Sequence, residues 1–421
     1  MRGVKAWKWM LLGATAVASA AVLTRSTASR GELFWILFPL IALLGSRGLH
    51  LFPPPRIATR SKLASLSVPI LLVLLPAGLY IGLAVALGGR IALFEIAVTI
   101  FFFAVSLETF LCYAFQCAEW LSLEAKRLQP RVPPLLTVIA IKLCLYAVLI
   151  PLLLAVFSLH RAKIPPSEAF ADLVGAHESV SFPSRGERPL TLRGWFFARR
   201  NPIGAVLACH GVGANRGDIL HMVDAFRRSG FQVLVFDFRG HGESDGHTVT
   251  YGHFEKYDVL GAWDYLRSRS DVDRSKLLAF GVSMGGSAML LALPELEGAR
   301  AAVADSAFAE LETMALHQYR FFPGPIARAF AKATAFFGWV ETGIRLSEVS
   351  PLRALERTRV PIFFIHGTDD SIVPVENSRR LHDAYSGPKK LWIEPGAGHG
   401  GTIIEAPVQY GKEVREFFER S

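Results

Sequence analysis

Long unbroken apolar runs dominate the first part of the chain and give way, near residue 165, to short apolar runs separated by amphipathic ones. Trp9–Leu23, Leu33–Phe52, Leu66–Leu87, Ile91–Ala118 and Leu135–Leu159 are each near the ~20 residues that a bilayer core requires. Buried helices of a water-soluble domain are rarely so apolar on every face over such lengths. The pattern therefore predicts an all-α transmembrane region of about five helices over residues 1–164. Arg2, Lys5 and Lys8 precede the first segment, and its Ala18-Ser19-Ala20 end also fits signal-peptide cleavage, so span and signal both stay open there.

The proline-bearing stretch Arg161–Ser167 marks the predicted domain boundary, and residues 165–421 have a different texture. Ser179–Phe182 and Leu190–Ala198 read as an initial antiparallel pair. Ala205–Cys209, Gln232–Phe236, Leu277–Phe280, Ala301–Ala304, Val360–Ile365 and Leu391–Ile393 read as buried strands. Helical runs fall between them, over Ile219–Ser229, His253–Arg269, Ser287–Leu293, Glu376–Tyr385 and Val408–Glu419. Strands alternating with helices predict an α/β domain with a doubly wound, mostly parallel sheet, whose ligands bind at the carboxyl ends of the strands.

Charge sharpens the division. The first 164 residues hold 16 Lys and Arg against 5 Asp and Glu, and the remainder 29 against 31. The basic excess thus sits in loops flanking apolar segments, which is the signature of membrane orientation and not of a nucleic-acid surface. With the N-terminus inside, Arg56, Arg60, Lys62, Lys126, Arg127 and Arg131 fall on the cytoplasmic side. That count places the second domain outside the cytoplasm of a multi-pass protein, with a bacterial plasma membrane as the expected setting. The 4 cysteines show neither metal spacing nor a disulfide framework, and no metal, nucleotide or flavin signature appears, so no cofactor is expected.

The chemistry gathers at strand ends. Leu277–Phe280 runs into Gly281-Val282-Ser283-Met284-Gly285, and an Ala/Leu-rich helical run follows. Strand, G-x-S-x-G and helix together are the context of a nucleophile elbow, whose tight turn needs the room that Gly281 and Gly285 supply. Other strands end in His210-Gly211-Val212-Gly213-Ala214-Asn215-Arg216, in Asp237-Phe238-Arg239-Gly240-His241-Gly242-Glu243-Ser244, in His366-Gly367-Thr368-Asp369-Asp370-Ser371-Ile372-Val373-Pro374, and in Gly396-Ala397-Gly398-His399-Gly400.

On these five ordered motifs the chain, from about Glu178 onward, resembles an α/β-hydrolase, close to the serine-peptidase-like and esterase branch of that superfamily. The resemblance implies Ser283 as nucleophile, His399 as its base and Asp370 as the acid that orients the imidazole. Asp369 and Asp305 are the rival carboxylates. The oxyanion hole is implied to be the backbone N–H groups of Val212 and Met284. His210, His241 and His366 follow strand ends beside glycines, where side chains more often brace loops. Asn215 and Arg216, with Asp237, Arg239 and Glu243, read as a loop network.

Between Ser306 and Ser350 an Ala- and Phe-rich insertion, Phe321–Pro325 followed by Ile326–Val340, occupies the place where this fold accepts a cap. An apolar cap beside a membrane region points to acyl or other hydrophobic small-molecule substrates, peptide-like ones included, and to the lipid bilayer as partner. A cap that only completes the core is the other reading. The function expected is a membrane-anchored serine hydrolase cutting an ester, thioester or small amide through an acyl-enzyme. A membrane sensor with a hydrolase-like binding domain is the alternative.

Overall fold

Runs such as Ala205–Cys209 and Gln232–Phe236 are apolar at every position, which suits a strand covered on both faces. The computed structural model describes residues 147–421 apart from 149 and 162, and there these runs form the middle of an eight-stranded sheet. The strands are β1 (Glu178–Pro183), β2 (Thr191–Phe197), β3 (Ala205–Cys209), β4 (Gln232–Phe236), β5 (Leu277–Val282), β6 (Ala299–Asp305), β7 (Ile362–Gly367) and β8 (Lys389–Glu394). Their spatial order is β1-β2-β4-β3-β5-β6-β7-β8. β1 with β2 and β2 with β4 pair antiparallel, and every other neighbouring pair is parallel. This is the mostly parallel sheet that the pattern predicts.

Alternation along each strand feeds two cores. Leu207, Cys209, Leu234, Phe236 and Ala279 face one layer, packed with Trp263 and Met289 from the helices Glu255–Ser268 and Met284–Ala292. Val206, Ala208, Val233, Val235 and Phe280 face the other, packed with Phe226 from Leu220–Arg228 and Phe418 from Pro407–Arg420. Each fully buried Phe, Leu or Val contributes about 1.5–3 kcal/mol relative to an exposed one, so the sheet is the rigid frame from which the strand-end loops project.

The insertion, called the lid below, lies between β6 and β7 as two helices, Leu311–Gln318 and Gly324–Thr342. The turn Phe321–Pro323 separates them, because Pro323 and Pro325 suit a helix start better than a helix interior. The lid's apolar contacts form clusters separate from the two sheet cores. One holds Phe308, Met314, Ile344, Val349 and Val373, and another holds Tyr319, Ala327 and Ala331. Its entrance and exit are tied together: Leu311 N–H donates to the Val349 carbonyl (3.0 Å) and Leu352 N–H to the Ala309 carbonyl (3.1 Å).

Four of the five apolar segments expected to span a membrane lie outside the described residues, as does most of the fifth. Its end is a helix over residues 150–159. Among the described residues no helix is long and apolar enough to cross a membrane.

Candidate active site

Ser283 stands between the end of β5 and the start of the helix Met284–Ala292, with φ 57° and ψ −125°. A non-glycine residue rarely takes such a backbone, which costs on the order of 1–3 kcal/mol and persists only where the surroundings enforce it. Here they do. Ser283 N–H donates to the Asp305 carbonyl (2.9 Å), and its own carbonyl accepts from Ser287 N–H (3.0 Å). A Cβ at Gly285 would lie 2.3 Å from the His210 carbonyl oxygen, and one at Gly281 would lie 2.4 Å from the Gly285 oxygen. No side chain fits at either position, so the two glycines of G-x-S-x-G are required by the close approach of the backbones. Ser283 itself is 8% exposed.

Opposite the elbow, the loop after β3 brings Gly211 against Ser283: a Cβ there would lie 3.3 Å from the Ser283 Cβ. His210 holds this loop. Its Nε2 accepts from Phe238 N–H (3.0 Å), which leaves Nδ1–H to donate to the Gly211 carbonyl (2.7 Å). In a trans peptide the C=O and N–H point in opposite directions, so fixing that carbonyl aims the Val212 N–H away from His210. Burial first, then the neighbouring His241, pushes the His210 pKa down to about 3, so the ring stays neutral and the arrangement holds at ordinary pH. His241 braces the next residue, its Nε2 accepting from Gly213 N–H (3.0 Å) while Nδ1–H donates to the Arg239 carbonyl (2.9 Å). Among the described residues neither the Val212 nor the Met284 N–H has an acceptor. Met284 begins a helix, where free N–H groups and the helix dipole favour negative charge.

His399 Nδ1–H donates to Asp370 Oδ2 at 2.7 Å. The other oxygen, Oδ1, accepts the N–H groups of Ile372 (2.9 Å) and Val373 (2.8 Å). Burial works to raise the Asp370 pKa, but the donors, His366 and His399 foremost, outweigh it and hold this carboxyl well below the usual carboxylate range. The rivals are placed elsewhere. Asp369 accepts from the Thr368 hydroxyl (2.8 Å), and Asp305 takes the hydroxyls of Tyr410 (2.8 Å) and Ser306 (3.0 Å). Asp305 still matters to the site, because Ser306 Oγ accepts the N–H of Gly400 (3.0 Å), next to His399. A Cβ at Gly400 would lie 3.2 Å from Val282 Cγ2, which brings the histidine loop to the residue preceding Ser283. Among the described residues, Ser283 Oγ makes no hydrogen bond to His399.

His366 was legible only as a loop brace, yet it enters the site directly. Its Nδ1 takes the Ser378 hydroxyl (2.7 Å), so Nε2–H lies between the Val373 carbonyl (2.8 Å) and Asp370 Oδ2 (3.1 Å). One carboxylate oxygen therefore meets two imidazoles. Adjacency of His366 to the Gly-x-x-Asp motif was the available signal, but the sequence carries nothing about which way the ring turns from a strand end. The loop network is as read. Arg216 pairs with Asp237 and Glu243 and stacks 4.3 Å over Trp195, while Arg239 holds the buried Asp258 (2.7 Å). Asn215 Nδ2 donates to the Ile164 carbonyl (3.2 Å).

The fold has counterparts among known proteins. A family profile described as serine aminopeptidase, S33, matches residues 200–337. The chain is 31% identical to protein YqkD of Bacillus subtilis over 234 residues, covering 54% of this chain and 75% of YqkD. It is 29% identical to protein YfhR of Escherichia coli K12 over 278 residues, covering 64% and 88%. The Pyrococcus furiosus esterase Pf2001 superposes with a TM-score of 0.52 at 23% identity, over 62% of this chain and 98% of the esterase.

Proposed function

Because the chain belongs to the α/β-hydrolase family, we propose that it is a membrane-anchored serine hydrolase that cuts an ester, thioester or small amide through an acyl-enzyme. The observation that carries the reading is the 2.7 Å hydrogen bond between His399 Nδ1 and Asp370, at the same sheet edge as a serine held in a strained elbow. Asp370 fixes the tautomer in which His399 Nε2 carries a lone pair, and this nitrogen takes the proton as Ser283 Oγ attacks the carbonyl carbon. The contact between Oγ and Nε2 is made when substrate docks, since such hydrogen bonds are commonly long in free enzymes. Negative charge developing on the carbonyl oxygen is received by the Val212 and Met284 N–H groups, and His399 then protonates the leaving group. Water attacks the acyl-enzyme with the same imidazole as base.

The lid's apolar surface favours acyl groups over peptides, and the apolar segments before residue 147 supply the anchor. A panel of p-nitrophenyl esters of graded chain length, with peptide p-nitroanilides beside it, tests the reading. Esters are expected to turn over and to outpace the anilides, and a fluorophosphonate is expected to label the full chain. Hydrolysis of neither class, with no labelling, would leave a membrane sensor with a binding domain.

The His210 brace makes a second prediction. His210→Ala frees the Gly211–Val212 peptide to rotate and is expected to lower kcat about 10²–10³-fold, the loss typical of one oxyanion donor, with KM nearly unchanged. His210→Asn, whose Nδ2 sits where the imidazole Nδ1 was, is expected to recover much of that loss. Equal kcat in the two variants would remove the argument from peptide orientation.

A further inference from the structure

The lid turns to solvent a set of apolar side chains that the sheet beneath it does not use. On the helix Gly324–Thr342, Ile326, Phe336, Trp339 and Val340 are 46%, 54%, 44% and 62% exposed, and in the turn before it Phe321 is 82% exposed. Ile326, Ala329, Lys332, Phe336 and Val340 are spaced three or four apart, so they share one face. Exposed aromatic and aliphatic side chains sharing one helix face in this way suit an interaction site. The charges interspersed with it have one sign: between Glu312 and Glu341 the chain carries Arg320, Arg328 and Lys332 and neither Asp nor Glu. Exposed Trp and Phe mixed with Arg and Lys on a helix suit the boundary between headgroups and acyl chains.

The direction from which the chain arrives is the second observation. The helix over residues 150–159 also turns apolar side chains to solvent, with Ile150 and Leu154 one helical turn apart. Its end is fastened to the catalytic domain. The Leu159 carbonyl accepts from Val249 N–H (2.7 Å), the Ser158 carbonyl from the Tyr251 hydroxyl (3.2 Å), and Lys163 donates to the Ser244 carbonyl. His160 pairs with Glu341, at the end of the lid helix and next to Val340. The segment that follows the last apolar run thus grips the lid itself.

We propose that this face of the lid lies in the headgroup–acyl boundary of the bilayer, its three cations among anionic headgroups, and that the acyl substrate reaches Ser283 from the lipid. The proposal rests on the membrane-anchored hydrolase reading above. An open cleft of about 450 Å³ lies between the lid helices, with Leu316, Phe322 and Ala327 beside Arg320 and Arg328, an apolar floor next to cations that suits the headgroup end of an amphiphile. Two of its residues reach the loop that carries Asp370, since His317 Nε2–H and Arg320 both donate to the Ser371 carbonyl (3.3 and 3.4 Å).

The test uses the full chain in nanodiscs of mixed phosphatidylcholine and phosphatidylglycerol. Trp339 emission, taken as the difference between wild type and Trp339→Phe, is expected to be quenched when the acyl chains are brominated, and emission left unquenched overturns the proposal. Phe336→Asp with Val340→Asp is expected to lower turnover of a long-chain ester held in the disc by about tenfold or more, and that of soluble p-nitrophenyl acetate by less than about twofold. Equal losses on both esters, or none on either, would also overturn it. Quenched Trp339 in a protein inert to both esters and to fluorophosphonate would refute the hydrolase reading, and with it the delivery of substrate to Ser283, while leaving the lid in the bilayer.

Discussion

Ser283→Ala is expected to abolish fluorophosphonate labelling and to lower ester turnover by about 10⁴–10⁶, the range seen when the nucleophile of such a constellation is removed. The residual rate would come from the oxyanion N–H groups, which the substitution leaves in place. Stability should barely move, because among the described residues Ser283 Oγ donates no hydrogen bond whose loss would count. Ser283→Gly should raise the unfolding midpoint, since glycine adopts φ 57° without the steric cost that serine bears there. Labelling measured by gel fluorescence, beside chemical denaturation of the same samples, reads both halves. An alanine variant that is inactive because it is unfolded, or one that is labelled like wild type, would contradict the assignment.

Asp370→Asn is the second large effect. Oδ1 of the new amide can keep the Ile372 and Val373 N–H groups, so the NH₂ group must face the two imidazoles. His399 then has to turn its Nδ1 lone pair toward that NH₂ and carry its proton on Nε2, the nitrogen that should accept from Ser283. The expected result is a fall in kcat of about 10⁴ with KM little changed, as a wrong tautomer produces. The pH dependence of stability separates wild type from variant too. Asp370 has a folded-state pKa below its unfolded value, so its stabilising contribution is complete above the unfolded carboxylate pKa and fades as pH falls toward the folded one. Acid titration of intrinsic fluorescence should therefore lose one steep component in the variant. Unchanged turnover in Asp370→Asn would move the acid elsewhere.

Much of this domain could be read from the chain because burial on both faces leaves an unmistakable imprint. Ala205–Cys209 and Gln232–Phe236 are buried at every position, and both were found with the same ends that the structure gives them. Strand ends locate loops, and loops at the carboxyl edge carry Ser283, Asp370 and His399, so the candidate site came with the strands. Orientation was harder. Nothing in a strand-end histidine reveals whether its ring turns to a carbonyl, as His210 does, or to a carboxylate, as His366 does, because tertiary neighbours decide it. Asp305 illustrates the same gap: its burial and its bond to Tyr410, 105 residues away, are invisible in local sequence. The lid was legible as an insertion, and Pro323 and Pro325 mark where its second helix starts, but the fold of the turn back onto that helix, with Phe322 stacked on Phe330 at 5.6 Å, is a tertiary contact that local sequence does not carry.

The stitching of the lid's two ends, Leu311 to Val349 and Leu352 to Ala309, has a consequence for how such a protein diversifies. A stretch whose start and finish meet is a replaceable cassette: exchange, lengthening or trimming of the part between leaves the strands on either side in register. Closing a longer or shorter loop between the same two points changes the chain entropy by well under about 1 kcal/mol for each doubling. On the proposed function, preference for one acyl group over another can drift in that cassette while the elbow, the imidazole and the carboxylate stay where the sheet puts them.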